Sequence, residues 1–276
     1  MSVFLEFQGL SYFPTQSISL SYRDRLRQRG RNRQSYRGSQ TSAPILPFGF
    51  LVQKSLKIGL GAFNQTLIPA FVVQILIGSL VCCYFLFPQS HPYFEKISEF
   101  KKNGGWIASF LLMGGFVGLL SELISVFTTT KKWTPNNTTN FGYNFIVFGL
   151  IGVFTDFFYA FQSKIVGSET NFSTIATKML IDQFIWTPFF VSPYQVLLGR
   201  WKALRFNFRP LLLELRRPLQ WFGKVQLPVL LSNWGFWIPM CTLIYCFPTS
   251  IQFPIAILAV SLWLILLNAI MKIDKK

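Results

Sequence analysis

Three carboxylates sit where carboxylates are costly. Glu122, Asp156 and Asp182 each lie inside a long apolar run, and a charge at the centre of a bilayer costs roughly 2.5–3.5 kcal/mol on insertion scales and more by simulation. Each must be paired, hydrated or protonated. Groups of this kind either line a polar pathway for solute or protons or make interhelical hydrogen bonds that fix a bundle, and residue type alone leaves both open. Asp182 follows Lys178 by four residues on one helical face, which predicts an internal ion pair, although in the less favourable order. Gln183 and Thr187, also four apart, fall on the neighbouring face. Counted along their spans, Asp156 and Asp182 lie roughly 6–8 Å from the centre toward one side, and Glu122 about 9 Å toward the other. The expectation is a polar cavity open toward the first side and lined by Asp156, Lys178 and Asp182.

Enzymatic chemistry finds no comparable foothold. The single histidine, His91, stands beside Pro92 in an expected surface loop, so it completes no nucleophilic triad. No Cys or His pair has the spacing of metal ligands, and no glycine-rich phosphate loop follows a strand. Cys82 and Cys83 are adjacent, while Cys241 and Cys246 fall on different helix faces, so all four read as packing residues. We expect no catalytic, cofactor-binding or metal-ligating residues, no cofactor, and a chain that is not an enzyme.

The elements that must position the acids are helices in lipid. The chain has 276 residues, 51% of them apolar and only 13% charged, where a soluble domain has about 25% charged. No Lys, Arg, Asp or Glu occurs in the 37 residues between Lys57 and Glu95 or the 47 between Lys224 and Lys272. About 20 apolar residues cross a bilayer, so an all-α, polytopic transmembrane bundle of five or six spans is expected. The candidate spans are about 66–87, 105–127, 142–162, 175–199, 226–247 and 251–270.

Gly115, Gly118 and Glu122 share their spacing with Gly149, Gly152 and Asp156. Both sets fall at i, i+3 and i+7, one face of a helix. Glycine lets helices approach closely in lipid, so these faces should meet inside the bundle, and Gly114 with Gly118 adds a GxxxG pair. Pro188 and Pro193 should bend the 175–199 span and free carbonyls. Pro239 should kink the fifth span, and Pro248 either kinks the last apolar stretch or divides it in two.

The formal charge is +16, and its distribution matters more than its size. Residues 1–57 are Ser- and Arg-rich with two acids, which fits a mitochondrial or plastid transit peptide or a disordered basic arm at the membrane. No zinc or RNP-type pattern accompanies that charge, so no nucleic acid is expected as a partner. Alternating the spans assigns 21 basic residues to the face holding both termini and five to the other, which orients the chain by the positive-inside rule. Within the positive face, residues 200–225 mix seven basic residues with Trp201, Phe206, Phe208, Trp221 and Phe222, a composition suited to the headgroup region. The expected organisation is a basic arm at 1–57, an extra N-terminal span and loop at 58–104, and a helical membrane domain at 105–276.

Lys178-Met-Leu-Ile-Asp182-Gln183 followed by Pro188 and Phe189 resembles the DQ-x4-P element of the twenty-two-kilodalton peroxisomal membrane protein family, also called the Mpv-seventeen family. Gly149-x2-Gly152 with Phe158-Tyr159 resembles its G-x2-G-P-x2-H-x-W-Y element, and Leu112-Met113-Gly114 through Glu122 and Ser125 its first span. The order holds across about 105–270. Val153, Asp156 and Phe158 replace the family's Pro, His and Trp. Trp237, Pro239 and Pro248 keep only part of its C-terminal signature. The resemblance is thus to a divergent member.

What that resemblance implies is a multi-pass protein of a plastid or mitochondrial inner membrane, or of the peroxisomal membrane, with a channel-like role for small solutes or metabolites. A non-transporting scaffold or assembly protein is the alternative. The implied partners are the lipid bilayer, a small solute, and a second copy of the chain or another membrane protein.

Overall fold

The computed structural model describes residues 48–127 and 131–273, and all regular structure among them is helical. α1 (Phe48–Leu86) is followed by α2 (His91–Leu112), a π-helical turn (Met113–Val117) and α3 (Gly118–Ser125). Then come α4 (Pro135–Ile165) and α5 (Phe172–Ile181), which continues through a π-helical stretch (Asp182–Val191) into α6 (Ser192–Ala203). α7 (Phe208–Leu215) and α8 (Pro218–Trp221) lead through another π segment (Phe222–Gln226) into α9 (Leu227–Tyr245), and α10 (Thr249–Ile273) closes the order. The expected transit-like arm lies outside the described residues as far as residue 47, whereas residues 48–57 form the first turns of α1.

The ends of these helices follow from local sequence. At the start of α4, Thr134 donates to Asn137 Oδ1 through its backbone N–H (3.0 Å) and its hydroxyl (2.6 Å), with Pro135 in the first turn. Asn171 accepts the Thr174 N–H to cap α5, and Asn207 accepts the Arg209 N–H to cap α7. Gly105, inside α2, takes φ +52°, which an L side chain resists, and bends the helix where the second span was expected to begin. Pro248 divides the last apolar stretch outright: α9 stops at Tyr245 and α10 starts at Thr249, so this proline is a break rather than a kink.

His91 is half-buried instead of lying on a surface loop. Its ring stacks on Tyr84, and Nε2 donates to the Tyr84 carbonyl at 2.8 Å, satisfying one of the carbonyls left over at the end of α1.

Three helical runs are long and apolar enough to cross a membrane: Pro88–Ser125, Pro135–Ile165 and Pro218–Tyr245. Ala70–Leu86 and Thr249–Leu264 are shorter apolar helices. The pattern of burial is that of a membrane protein. On α4, Ile146, Leu150, Phe154, Phe157 and Phe161 are exposed along a 3.6-residue stripe, while Asn144 and Gln162 on the opposite side are fully buried. An apolar stripe of that extent is stable outside only if lipid covers it. The protein is embedded in a membrane.

α10 is the central pillar, packed against α1, α2, α3, α4 and α9. Ile251, Phe253, Ile255, Ile257, Ala259 and Trp263 are all buried, so as far as Leu264 the helix is enclosed around most of its circumference. α9 lies along α1, and α4 packs on the α2–α3 run.

That last contact uses glycine, with one change from expectation. A Cβ on Gly114 would come within 2.5 Å of the Phe145 carbonyl, and one on Gly152 within 2.5 Å of Met113 Cβ. Gly118 faces the Phe145 backbone and Gly149 the Phe110 ring, but a Cβ on Gly115 would meet nothing within 4 Å. The GxxxG pair therefore makes the contact, and Gly115 points away from it. Gly114→Val and Gly152→Leu are expected to lower the thermal midpoint in detergent, at a cost of about 1–3 kcal/mol from overpacking. Gly115→Ala should leave the circular-dichroism melt unchanged.

Candidate polar interior

The π-helical stretch that begins at Asp182 sets the geometry of the principal cluster. With hydrogen bonds running from i to i−5, residues five apart share a face, and Thr187 Oγ1 donates to Asp182 Oδ1 at 3.3 Å. Gln183 Nε2 donates to the same oxygen at 3.2 Å. α9 supplies the other side: Tyr245 OH donates to Asp182 Oδ2 at 2.5 Å, with Cys241 Sγ at 3.6 Å from that oxygen and 3.2 Å from Gln183 Nε2. Asp182 is 5% exposed, and Tyr159 of α4 closes the cluster edge-on against Tyr245.

The same register accounts for the two prolines. Ser192 N–H bonds to Thr187 O, five residues back. Pro188 and Pro193 have no N–H to give, so in this register the carbonyls of Gln183 and Pro188 are released. Trp234 Nε1 donates to the first at 2.8 Å and Gln226 Nε2 to the second at 2.7 Å. In lipid an unpartnered carbonyl costs several kcal/mol, so the distortion of this span and the two polar side chains of the neighbouring run form one unit.

Glu122 and Asp156 belong to separate networks. Glu122, 3% exposed, is held between two amides of α4: Asn137 Nδ2 donates to Oε2 at 3.1 Å and Asn144 Nδ2 to Oε1 at 3.0 Å. Lys202, beyond the end of the span, lies 5.0 Å from the centre of the Tyr143 ring. Burial lowers the pKa of its ammonium below the ordinary value, and the charge of Glu122 acts in the opposite direction. Asp156 lies some 18 Å further along α4 than Asn144, at 1.5 Å per residue. It pairs with Lys101 Nζ at 2.5 Å and accepts from Ser109 Oγ at 2.8 Å. Lys101 precedes the bend at Gly105, and that bend brings this polar segment of α2 to α4.

The expected Lys178–Asp182 ion pair does not form. Lys178 is buried, and its Nζ donates to Ser163 Oγ at 3.0 Å, which in turn lies 2.7 Å from Thr249 Oγ1. The carboxylate of Asp182 is already occupied by donors from α9 and the π stretch. Nor do Asp156, Lys178 and Asp182 share partners as a single lining: each is bonded within its own set of side chains. Thr187, expected beside Gln183, is turned by the π register to face Asp182 instead. Pro188 lies inside the π stretch, Pro193 in the first turn of α6 and Pro239 inside α9.

Several members of these clusters went unrecognised in the sequence. Asn137 and Asn144 are seven apart and so share one face of α4, a periodicity that was present to be read. Tyr245 and Cys241, four apart on α9, carry no comparable sign, because only the tertiary packing turns them toward Asp182. Lys101 was visible only as an orientation charge.

Four amide oxygens are buried without a partner among the described residues: Asn144 Oδ1, Gln162 Oε1, Gln183 Oε1 and Gln252 Oε1, while Gln162 Nε2 donates to the Lys178 carbonyl at 3.0 Å. Among the described residues no group of three His, Cys, Asp or Glu could hold a metal ion. Compared with family models, with curated proteins and with solved structures, the chain matches none.

Removing a carbonyl's donor should be costly here. Trp234→Phe and Gln226→Leu are each expected to destabilise by about 1–3 kcal/mol, the desolvation cost of an orphaned polar group, measurable as a lower unfolding midpoint in detergent. In double-mutant cycles, Asp182→Asn should couple to Tyr245→Phe by about 0.5–3 kcal/mol and not to Lys178→Gln. Coupling to Lys178 of equal size would contradict the arrangement described.

Proposed function

We propose that this is a multi-pass protein of an organelle membrane, with five or six spans and a channel-like interior for small solutes. The observation that carries the reading is the set of four unpartnered buried amide oxygens, Gln162 Oε1 and Gln183 Oε1 among them. Buried polar atoms in folded proteins are nearly always bonded, to protein or to water. Orphan acceptors inside an apolar bundle therefore favour an interior that admits water or a hydrogen-bonding solute. Asp182, Thr187, Cys241 and Tyr245 form a polar cluster beside Gln183, and Lys178 with Ser163 forms another beside Gln162. The resemblance to the peroxisomal membrane protein family supports the reading as well, because Asp182, Gln183 and Pro188 are the residues that carry it. A plastid or mitochondrial inner membrane fits the basic, acid-poor composition of residues 1–57, and the peroxisomal membrane is the alternative.

A second reading, a scaffold or assembly protein without transport, is favoured by a different observation. Glu122, Asp156 and Asp182 are each bonded to a side chain from another helix, as they would be if their role were to hold the bundle together.

Reconstitution separates the two. Liposomes containing the full chain are expected to pass small polar solutes faster than empty vesicles. Gln183→Leu, which replaces the orphan acceptor with a side chain of similar size, should slow that flux by roughly tenfold, the equivalent of about 1.4 kcal/mol on the barrier. Wild-type flux no greater than that of empty vesicles, together with a stoichiometric co-purifying membrane protein, would establish the scaffold instead.

A further inference from the structure

The segment between α6 and α9 carries more uncompensated positive charge than any other described part of the molecule. Residues 200–224 hold seven basic side chains and one acid, Glu214. That acid is taken: Arg200, itself buried, binds it through NH2 to Oε1 at 2.6 Å and through Nε to Oε2 at 3.3 Å. Arg205, Arg209, Arg216 and Arg217 are all exposed, and among the described residues none of them has an acid within ion-pairing distance. The Arg200–Glu214 bridge also ties α7 to the end of α6, so the arginines are displayed from an anchored element rather than a free loop.

The same surface is apolar. α7 buries Leu211 against the protein and turns Phe208, Leu212 and Leu213 outward, each more than half exposed. Leu219, at the start of α8, is 70% exposed. Helix geometry places Arg209, Leu213 and Arg216 at i, i+4 and i+7, so guanidinium and apolar side chains alternate along one face. Water disfavours that apolar surface and hydrocarbon disfavours the charge. The boundary between headgroups and acyl chains accepts both.

The depth of the segment agrees with this. Tyr143, in the early turns of α4, donates its hydroxyl to the Leu198 carbonyl at 2.9 Å and packs edge-on against Phe206. The end of α6 and the turn into α7 are thereby held against the early turns of α4.

From this the geometry points to a binding surface for anionic phospholipid headgroups, formed by Arg205, Arg209, Arg216 and Arg217, with Phe208, Leu212, Leu213 and Leu219 inserted among the upper acyl carbons. Guanidinium groups bind phosphate in a bidentate fork, and a negative leaflet surface attracts each basic residue near it. The surface goes beyond the proposed transport role and stands whether the protein conducts solute or scaffolds an assembly. It also names the leaflet: the end of the bundle carrying α7 and α8 faces the more anionic one.

Gel filtration of the purified full chain in mild detergent, with trace tail-labelled phosphatidylglycerol or phosphatidylcholine, tests this. The wild-type chain is expected to retain the anionic lipid roughly tenfold over the zwitterionic one at about 0.1 M salt, and to lose most of that preference at about 0.5 M, where charges are screened beyond a few ångström. R205Q/R209Q/R216Q/R217Q should bring the ratio near parity while eluting at the wild-type volume with an unchanged helical spectrum. If that variant fails to fold, R209Q/R216Q should give an intermediate ratio. Equal retention of the two lipids by the wild-type chain would overturn the proposal. So would a preference that survives high salt, or one that survives in the folded variant.

Discussion

A polar group inside hydrocarbon has no solvent to fall back on, and the rest of this bundle is arranged around that constraint. Its sharpest expression lies between the π-helical stretch Asp182–Val191 and the neighbouring run from Phe222 to Tyr245. Two prolines five residues apart, in a register that bonds i to i−5, release two carbonyls five residues apart. Trp234 and Gln226 reach them from one neighbour. From the same neighbour Tyr245 and Cys241 reach the carboxylate of Asp182. Backbone and side-chain satisfaction thus both bind this span to α9, while α9 lies along α1. A distorted helix that would be intolerable facing lipid becomes the most heavily bonded contact in the interior.

The three acids show the constraint met in three ways. Glu122 is met by neutral donors, one amide on each oxygen, with Lys202 near enough to interact with it. Asp156 is neutralised by charge, through a lysine from a bent segment nearer the polar end of its helix. Asp182 has hydroxyl, amide and thiol donors. Asp156 thus meets a charged donor, whereas Asp182 is served by uncharged groups, which cost less to bury. The apolar outer stripe of α4 and the mixed basic and apolar surface of α7 are the complementary outer conditions, one facing acyl chains and the other meeting headgroups.

The all-helical, membrane-embedded character was legible from charge-free runs alone, because continuous apolar runs of that length satisfy their backbone in lipid as helices, whereas barrel strands are short and alternate. So was the involvement of Gly114, Gly118, Gly149 and Gly152 in close packing, since small residues at helical spacing have few other uses. The frame that matched Gly115 to Gly149 was misleading by one residue: the intervening π turn, Met113–Val117, shifts which glycines face α4. The supposed Lys178–Asp182 pair failed for a related reason. Ideal α-helical spacing puts them on one face, but a side chain takes the best donor within reach, and α9 brings better ones to Asp182.

Taken by itself, the amino-acid sequence determined the solvent, the helices, the need of each embedded acid for a partner, and the residues free to form close contacts. These are properties of short stretches and their periodicity. Only the tertiary structure decided which partner each acid has, that α10 rather than an earlier span forms the central pillar, and that the released carbonyls of Gln183 and Pro188 are met by Trp234 and Gln226. Those outcomes depend on which helix faces are brought together across separations of 15 to 63 residues, and no local pattern encodes the rotation of one helix about its axis relative to another.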